Sequence, residues 1–120
     1  VKKIINQLKE LGHDVTYDWT DHEFLGGQAG DNIELSRQWA NDELNAVILS
    51  DVYVLLSDEQ ESTGGRFTEL GTALGVRLVS DRGPERIFVV GDHSFNIFYW
   101  HPLVIRVDTF DDVLRYLGIK

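Results

Sequence analysis

The sequence predicts an α/β domain built on a parallel, doubly wound sheet. Three short apolar runs carry this prediction: DVYVLLS at residues 51–57, RIFVVG at 86–91 and LVIRV at 103–107. They are rich in β-branched residues and too short for helices. Longer segments with apolar residues at helical spacing separate and flank them. Strands that alternate with helices pair in parallel and are covered on both faces. Sheets of this kind bind ligands outside the carboxyl ends of their strands, which fixes where functional residues are to be sought.

Residues 1–12 form the first expected helix, with Ile4, Ile5, Leu8 and Leu11 at helical spacing and Gly12 as its stop. VTYDW at 15–19 is β-rich and reads as a short strand. Residues 20–31 hold three glycines and little periodicity, so they read as loop. Helical spacing resumes over 32–50 through Ile33, Leu35, Trp39, Leu44, Val47 and Ile48, with Asp31 or Asn32 as the cap. After the strand at 51–57 comes a polar loop, DEQESTGG, and then a helix from about Arg66 to Val79. Phe67, Leu70, Ala73, Leu74 and Leu78 share one side of it. The strand at 86–91 leads into an aromatic-rich connection, DHSFNIFYWHP at 92–102. The strand at 103–107 and a helix at 109–118, capped by Thr109, complete the chain. A sheet of this kind normally opens with a strand, whereas this chain starts in a helix pattern without Met. A first strand before Val1 is therefore expected.

At 120 residues the chain has the size of one domain. No apolar run approaches the ~18–20 residues that span a bilayer, and no secretory signal opens the sequence. There is no cysteine, which excludes a disulfide framework, a thiolate metal site and a Cys nucleophile. A cytoplasmic setting is the expectation. The formal net charge of −9 argues against duplex nucleic acid as a partner, since that partner calls for clustered Lys and Arg. It leaves a small nucleotide open, because backbone N–H groups alone can hold an anion. His13, His22, His93 and His101 are scattered without ligand spacing, and no metal is expected.

STGGRFTELG at residues 62–71 is the stretch with most chemical promise. Gly64 and Gly65 fall where a strand end meets a helix start, where unpaired N–H groups favour an anion and glycine admits close approach. The alternative is a plain turn with a capping Ser or Thr. Glu69 lies about one turn into the helix. The macrodipole alone favours a Glu there, by roughly 0.3–1 kcal/mol. Alternatively, its place beside core-facing Leu70 puts a carboxylate at the crevice edge, where it can act as a nucleophile at a sugar carbon. Asp51 reads as a pin at the start of its strand, Asp58 and Glu59 as solvated loop residues, and Tyr17 and Trp19 as core or as base-stacking residues. FNIFYW at 95–100 is apolar enough for a subunit contact, with packing inside one chain as the alternative.

NDELNAVILSDVYVLLSDEQESTGGRFTELGTALG at 41–75, with VVGDHSFNIFYWHP at 89–102, resembles the nucleoside 2-deoxyribosyltransferase family, which includes deoxynucleoside 5′-monophosphate N-hydrolases. The resemblance covers roughly residues 40–102. It implies a flavodoxin- or Rossmann-like three-layer α/β/α domain over residues 1–120, lacking the first strand. It implies an enzyme of nucleotide metabolism, without cofactor, that cleaves or transfers the N-glycosidic bond of a deoxynucleoside or its monophosphate. Glu69 matches the nucleophile. Glu43, or Asp42 if the helix is shifted by one, matches an acidic residue that contacts the base. Thr63 falls where the transferases carry an Asp and the hydrolases a Ser that holds phosphate. A hydroxyl cannot protonate a departing purine, but beside Gly64 and Gly65 it can hydrogen-bond a phosphate. Asn96 and Phe98 match a loop pair that reaches the sugar, often in a neighbouring subunit, so a homo-oligomer with a shared site is implied. Other readings are hydrolysis rather than transfer, and a nucleotide-sensing module without turnover.

Overall fold

The computed structural model describes residues 2–10, 32–57, 65–93 and 96–118. The chain divides into two compact units, residues 1–46 and 47–120. The first holds α1 (Lys2–Glu10) and most of α2 (Ile33–Leu49). Lys9 lies in the last turn of α1, where the helix dipole favours a cation. Asn32 caps α2: its Oδ1 accepts a hydrogen bond from Leu35 N at 3.0 Å. That satisfies one of the donors a helix start leaves unpaired. The expected strand at 15–19, the loop at 20–31 and most of the polar loop after β1 lie outside the described residues.

The second unit is α/β. A three-stranded parallel sheet of β1 (Val52–Leu56), β2 (Arg86–Val90) and β3 (Val104–Val107) runs in the order β1-β2-β3. Val52 pairs with Arg86 and Leu56 with Val90; Ile87 pairs with Val104 and Val90 with Val107. The carboxyl ends of all three strands therefore lie side by side. α3 (Gly65–Val79) connects β1 to β2, which is the long crossover a parallel pair requires.

The alternation of side chains along each strand divides the core in two. On one face Leu55, Ile87 and Val89 pack with Leu70, Ala73 and Leu74 of α3, with Val47 from the end of α2, and with Tyr99. On the other face Phe88 and Val90 pack with Val113 of α4 (Phe110–Tyr116), flanked by Val54, Ile105 and Phe110. Phe88 and Val89 are fully buried on opposite faces of the central strand. Burial of a side chain of this kind stabilises by about 1.5–3 kcal/mol. The apolar stripe of α3 ends sooner than its sequence spacing implies. Leu78 is 62% exposed, because the last turn extends past the packed cluster.

The connection at 92–102 contains a 3₁₀-helix, Ile97–Trp100, that periodicity does not reveal. Four residues are too few to display a repeat. Asn96 starts this helix, with its Oδ1 accepting from Phe98 N at 2.8 Å. Thr109 caps α4 as expected, in a reciprocal box. Its hydroxyl accepts from Asp112 N at 3.3 Å, and Asp112 Oδ2 accepts from Thr109 N at 3.1 Å. The hydrogen bonds from Thr109, backbone first, hold the Asp112 carboxyl below its usual range. Thr109→Ala removes one arm of this box, so it is expected to lower unfolding stability by about 1 kcal/mol, read from chemical denaturation at neutral pH.

Candidate active site

The start of α3 is fixed to β1 by two side chains. The Tyr53 hydroxyl crosses from the strand and donates to the Arg66 carbonyl at 3.3 Å. The Arg66 guanidinium returns in the other direction, with Nη1 donating to the Leu56 carbonyl at 2.9 Å. Leu56 is the last residue of β1, so these bonds bracket the first turn of the helix. Glu69 follows Arg66 by three positions, on the same side of the helix. Helical side chains lean toward the N-terminus, so the carboxylate is carried back over that first turn.

Glu69 is partly buried, and its charge is felt by Tyr53. The Tyr53 phenol is pushed far above its usual range, first by burial and then by Glu69, with a smaller contribution from Tyr99 and an opposing one from Arg66. Glu69 is thus near enough to Tyr53 for its charge to bear on the phenol. The phenol beside it stays neutral throughout the physiological range.

A second group of contacts lies at the ends of β2 and β3. Arg106 Nη2 donates to the carbonyls of Gly91, at 2.7 Å, and His93, at 2.9 Å. Its guanidinium lies 4.7 Å from the Trp100 ring centre and 5.6 Å from that of Tyr99. Tyr99 is fully buried, and its ring is 6.2 Å from that of Phe67 on α3. Aromatic contacts thus run from Arg106 through Tyr99 to the first turns of α3. Ser57, next after β1, donates from Oγ to the Val90 carbonyl at 2.6 Å, with His93 Nδ1 at 3.5 Å. Gly91 lies against Ser57 with φ of 107°, a conformation side chains rarely adopt.

The residues proposed from sequence distribute as follows. Glu69 lies on α3 as described, and Gly65 opens that helix. Gly65 is exposed, its φ is not positive, and a Cβ on it would meet nothing within 4 Å. The described backbone does not itself demand glycine there. Thr63 and Gly64 lie outside the described residues. Asp42 and Glu43 are partly buried on α2, in the first unit. As consecutive helical residues they point about 100° apart, so they cannot serve interchangeably on one face. Asn96 and Phe98 belong to the 3₁₀-helix, where Phe98 is 56% exposed. His101 Nδ1 accepts from Leu103 N at 3.1 Å and closes the turn into β3.

Tyr53, Arg66, Tyr99 and Arg106 were not singled out by sequence reasoning. Arg106 carried a usable signal, as a charge inside the run LVIRV. Tyr53 carried none, because a tyrosine in an apolar strand reads as core. Among the described residues no three His, Asp or Glu side chains group as a metal site, and no helix is long and apolar enough to cross a membrane. Comparison of the chain with protein-family models, curated proteins and solved structures found no match.

Two outcomes are expected here. Gly91→Ala forces a Cβ against Ser57 Oγ at an unfavourable φ, and should cost roughly 1–3 kcal/mol of stability. In a double-mutant cycle with Ser57→Ala the clash is relieved and the backbone strain is not, so the pair should couple by at least ~0.5 kcal/mol. The second concerns alkali. Tyr53 holds its proton more tightly folded than unfolded. Its contribution is therefore complete below the ordinary phenol value of about 10 and declines as pH rises beyond it. Denaturation followed from pH 8 to 11 should show this fall, and Tyr53→Phe should flatten it.

Proposed function

We propose that the protein cleaves or transfers the N-glycosidic bond of a deoxynucleoside or its 5′-monophosphate. The supporting observation is Glu69 itself: a partly buried carboxylate that acts electrostatically on Tyr53 beside the first turn of α3. In this reading a Glu69 oxygen attacks the anomeric carbon. The C–N bond breaks and its electron pair leaves with the base. Charge builds up on the sugar as in retaining glycosidases, where a nearby carboxylate stabilises an oxocarbenium-like transition state. The resulting ester is released by water in a hydrolase or by a second base in a transferase. Tyr53 remains neutral, so it adds no negative charge beside Glu69. The Arg66 guanidinium, held at the Leu56 carbonyl, offsets negative charge at the strand end.

Asn96 takes a defined part. Its Oδ1 is engaged by Phe98 N, so it meets a substrate as a donor through Nδ2. A donor suits a sugar hydroxyl oxygen or a phosphate oxygen. The exposure of Phe98 and Trp100, 56% and 61%, supports a site completed by a neighbouring copy. The finer fold assignment belongs to the same proposal: a doubly wound, flavodoxin-like sheet, supported by apolar clusters on both of its faces.

The test uses deoxynucleosides and their 5′-monophosphates, with and without a free acceptor base, followed by chromatography. Base release should fall by roughly 10⁴-fold or more in Glu69→Ala, with substrate binding retained. A new nucleoside on adding the acceptor means transfer, and free sugar alone means hydrolysis. Tight nucleotide binding without turnover on any substrate overturns the enzyme reading in favour of a sensor.

A further inference from the structure

We infer that Arg106 is a positioning residue that ties the 3₁₀-helix Ile97–Trp100, and with it Asn96 and Phe98, to the turn at Gly91–His93 after β2. The part played by Asn96 and Phe98 in substrate binding rests on the function proposed above; the hold of Arg106 on the segment rests on geometry alone.

Arg106 pairs with Val89 across the sheet and shares the face of Val104, which is the face that carries Tyr99 and α3. A guanidinium on an apolar face loses hydration. This one recovers part of that loss through Nη2, which binds two carbonyls of the chain that follows β2. It recovers more through the rings of Tyr99 and Trp100. Its Nε and Nη1 atoms are buried and have no hydrogen-bond partner. Among the described residues no carboxylate forms a salt bridge with it. A side chain selected for stability would have a different character, since apolar replacement of a buried charge is often neutral or stabilising.

What Arg106 does is join three pieces that nothing else described joins in this way. It belongs to β3, its hydrogen bonds reach the turn after β2, and its ring contacts reach the 3₁₀-helix. The 3₁₀-helix is short, and the bonds described within it are local: Phe98 N to Asn96 Oδ1, Tyr99 N to Asn96 O and His101 N to Phe98 O. Its outer side chains, Ile97, Phe98 and Trp100, are exposed and add little packing. Only Tyr99 is anchored in the core. One buried side chain fixes where such a segment sits but not its rotation, and rotation decides where Asn96 points. The planar guanidinium, with bonds in its plane and rings against its faces, restrains that rotation.

Arg106→Met keeps length and apolar packing while removing the donors and the charge. In hydrogen exchange the amides of Phe98, Tyr99 and His101 should exchange at least roughly tenfold faster, while those of β2 stay slow. The midpoint of thermal unfolding should change little. In the turnover assay KM should rise roughly tenfold with kcat nearly unchanged, the sign of lost binding rather than lost chemistry. Arg106→Lys should fall between wild type and Arg106→Met. Trp100→Ala, at an exposed position, gives a variant that folds even if the others do not, and should also speed exchange at Phe98. Unchanged exchange in all three variants overturns the inference, whatever the activity. Unchanged KM in an enzyme that Glu69→Ala inactivates overturns it as well. If the wild type turns over no substrate, the proposed function fails and exchange alone decides the role of Arg106.

Discussion

The burial of both faces of β2 constrains everything else in the second unit. Ile87, Phe88, Val89 and Val90 are all buried, alternating between one apolar cluster and the other. No polar chemistry can be placed along such a strand without the cost of an unpaired buried group. Parallel register then puts the carboxyl ends of three strands together. Polar groups collect at those ends because it is there that chain leaves the core. Ser57, Gly91, His93 and the start of α3 all lie there. The location of the candidate site is thus a consequence of packing.

Within that edge, the first turn of α3 is held more firmly than a helix start needs. A helix can leave its first donors to water. Here Tyr53 and Arg66 bind the turn to the strand from both directions. The Tyr53 bond uses a carbonyl already inside the helix, at 3.3 Å, so it adds little to stability. Its greater effect is on geometry. It fixes the distance between β1 and the residue three positions before Glu69, and a carboxylate used in chemistry depends on such fixed distances.

The sequence was informative where a physical rule has a long enough reach. Three strands and four helices follow from runs of five or more residues, and their observed bounds lie within two residues of those expected. The caps at Asn32 and Thr109 were legible because capping is local, spanning three residues. The 3₁₀-helix was not legible from period, although Asn96 ahead of an apolar run is a cap signal that would have marked it. Contacts between distant residues were hidden altogether. Tyr53 and Arg66 are thirteen positions apart, and nothing in either residue's neighbourhood announces the other. Glu69 was legible as a candidate by its place at a helix start and by the resemblance; its effect on Tyr53 depends on how α3 sits on β1. Thr63 and Gly64 lie outside the described residues, so their part in the reading rests on sequence alone.

Net charge gives a misleading picture of this edge. A chain at −9 suggests a surface that repels anions. Yet both guanidiniums described at the strand ends are bound to backbone carbonyls, Arg66 to Leu56 and Arg106 to Gly91 and His93. Carbonyls at the carboxyl ends of parallel strands concentrate partial negative charge where a ligand would approach. Each arginine cancels part of it at short range, while the remaining acidic residues act over longer distances that salt screens within ~8–10 Å. The local field at the strand ends therefore depends on these two guanidiniums as well as on the sum over the chain. An acidic chain can in this way still present partly neutralised backbone at the edge where sheets of this kind bind ligands.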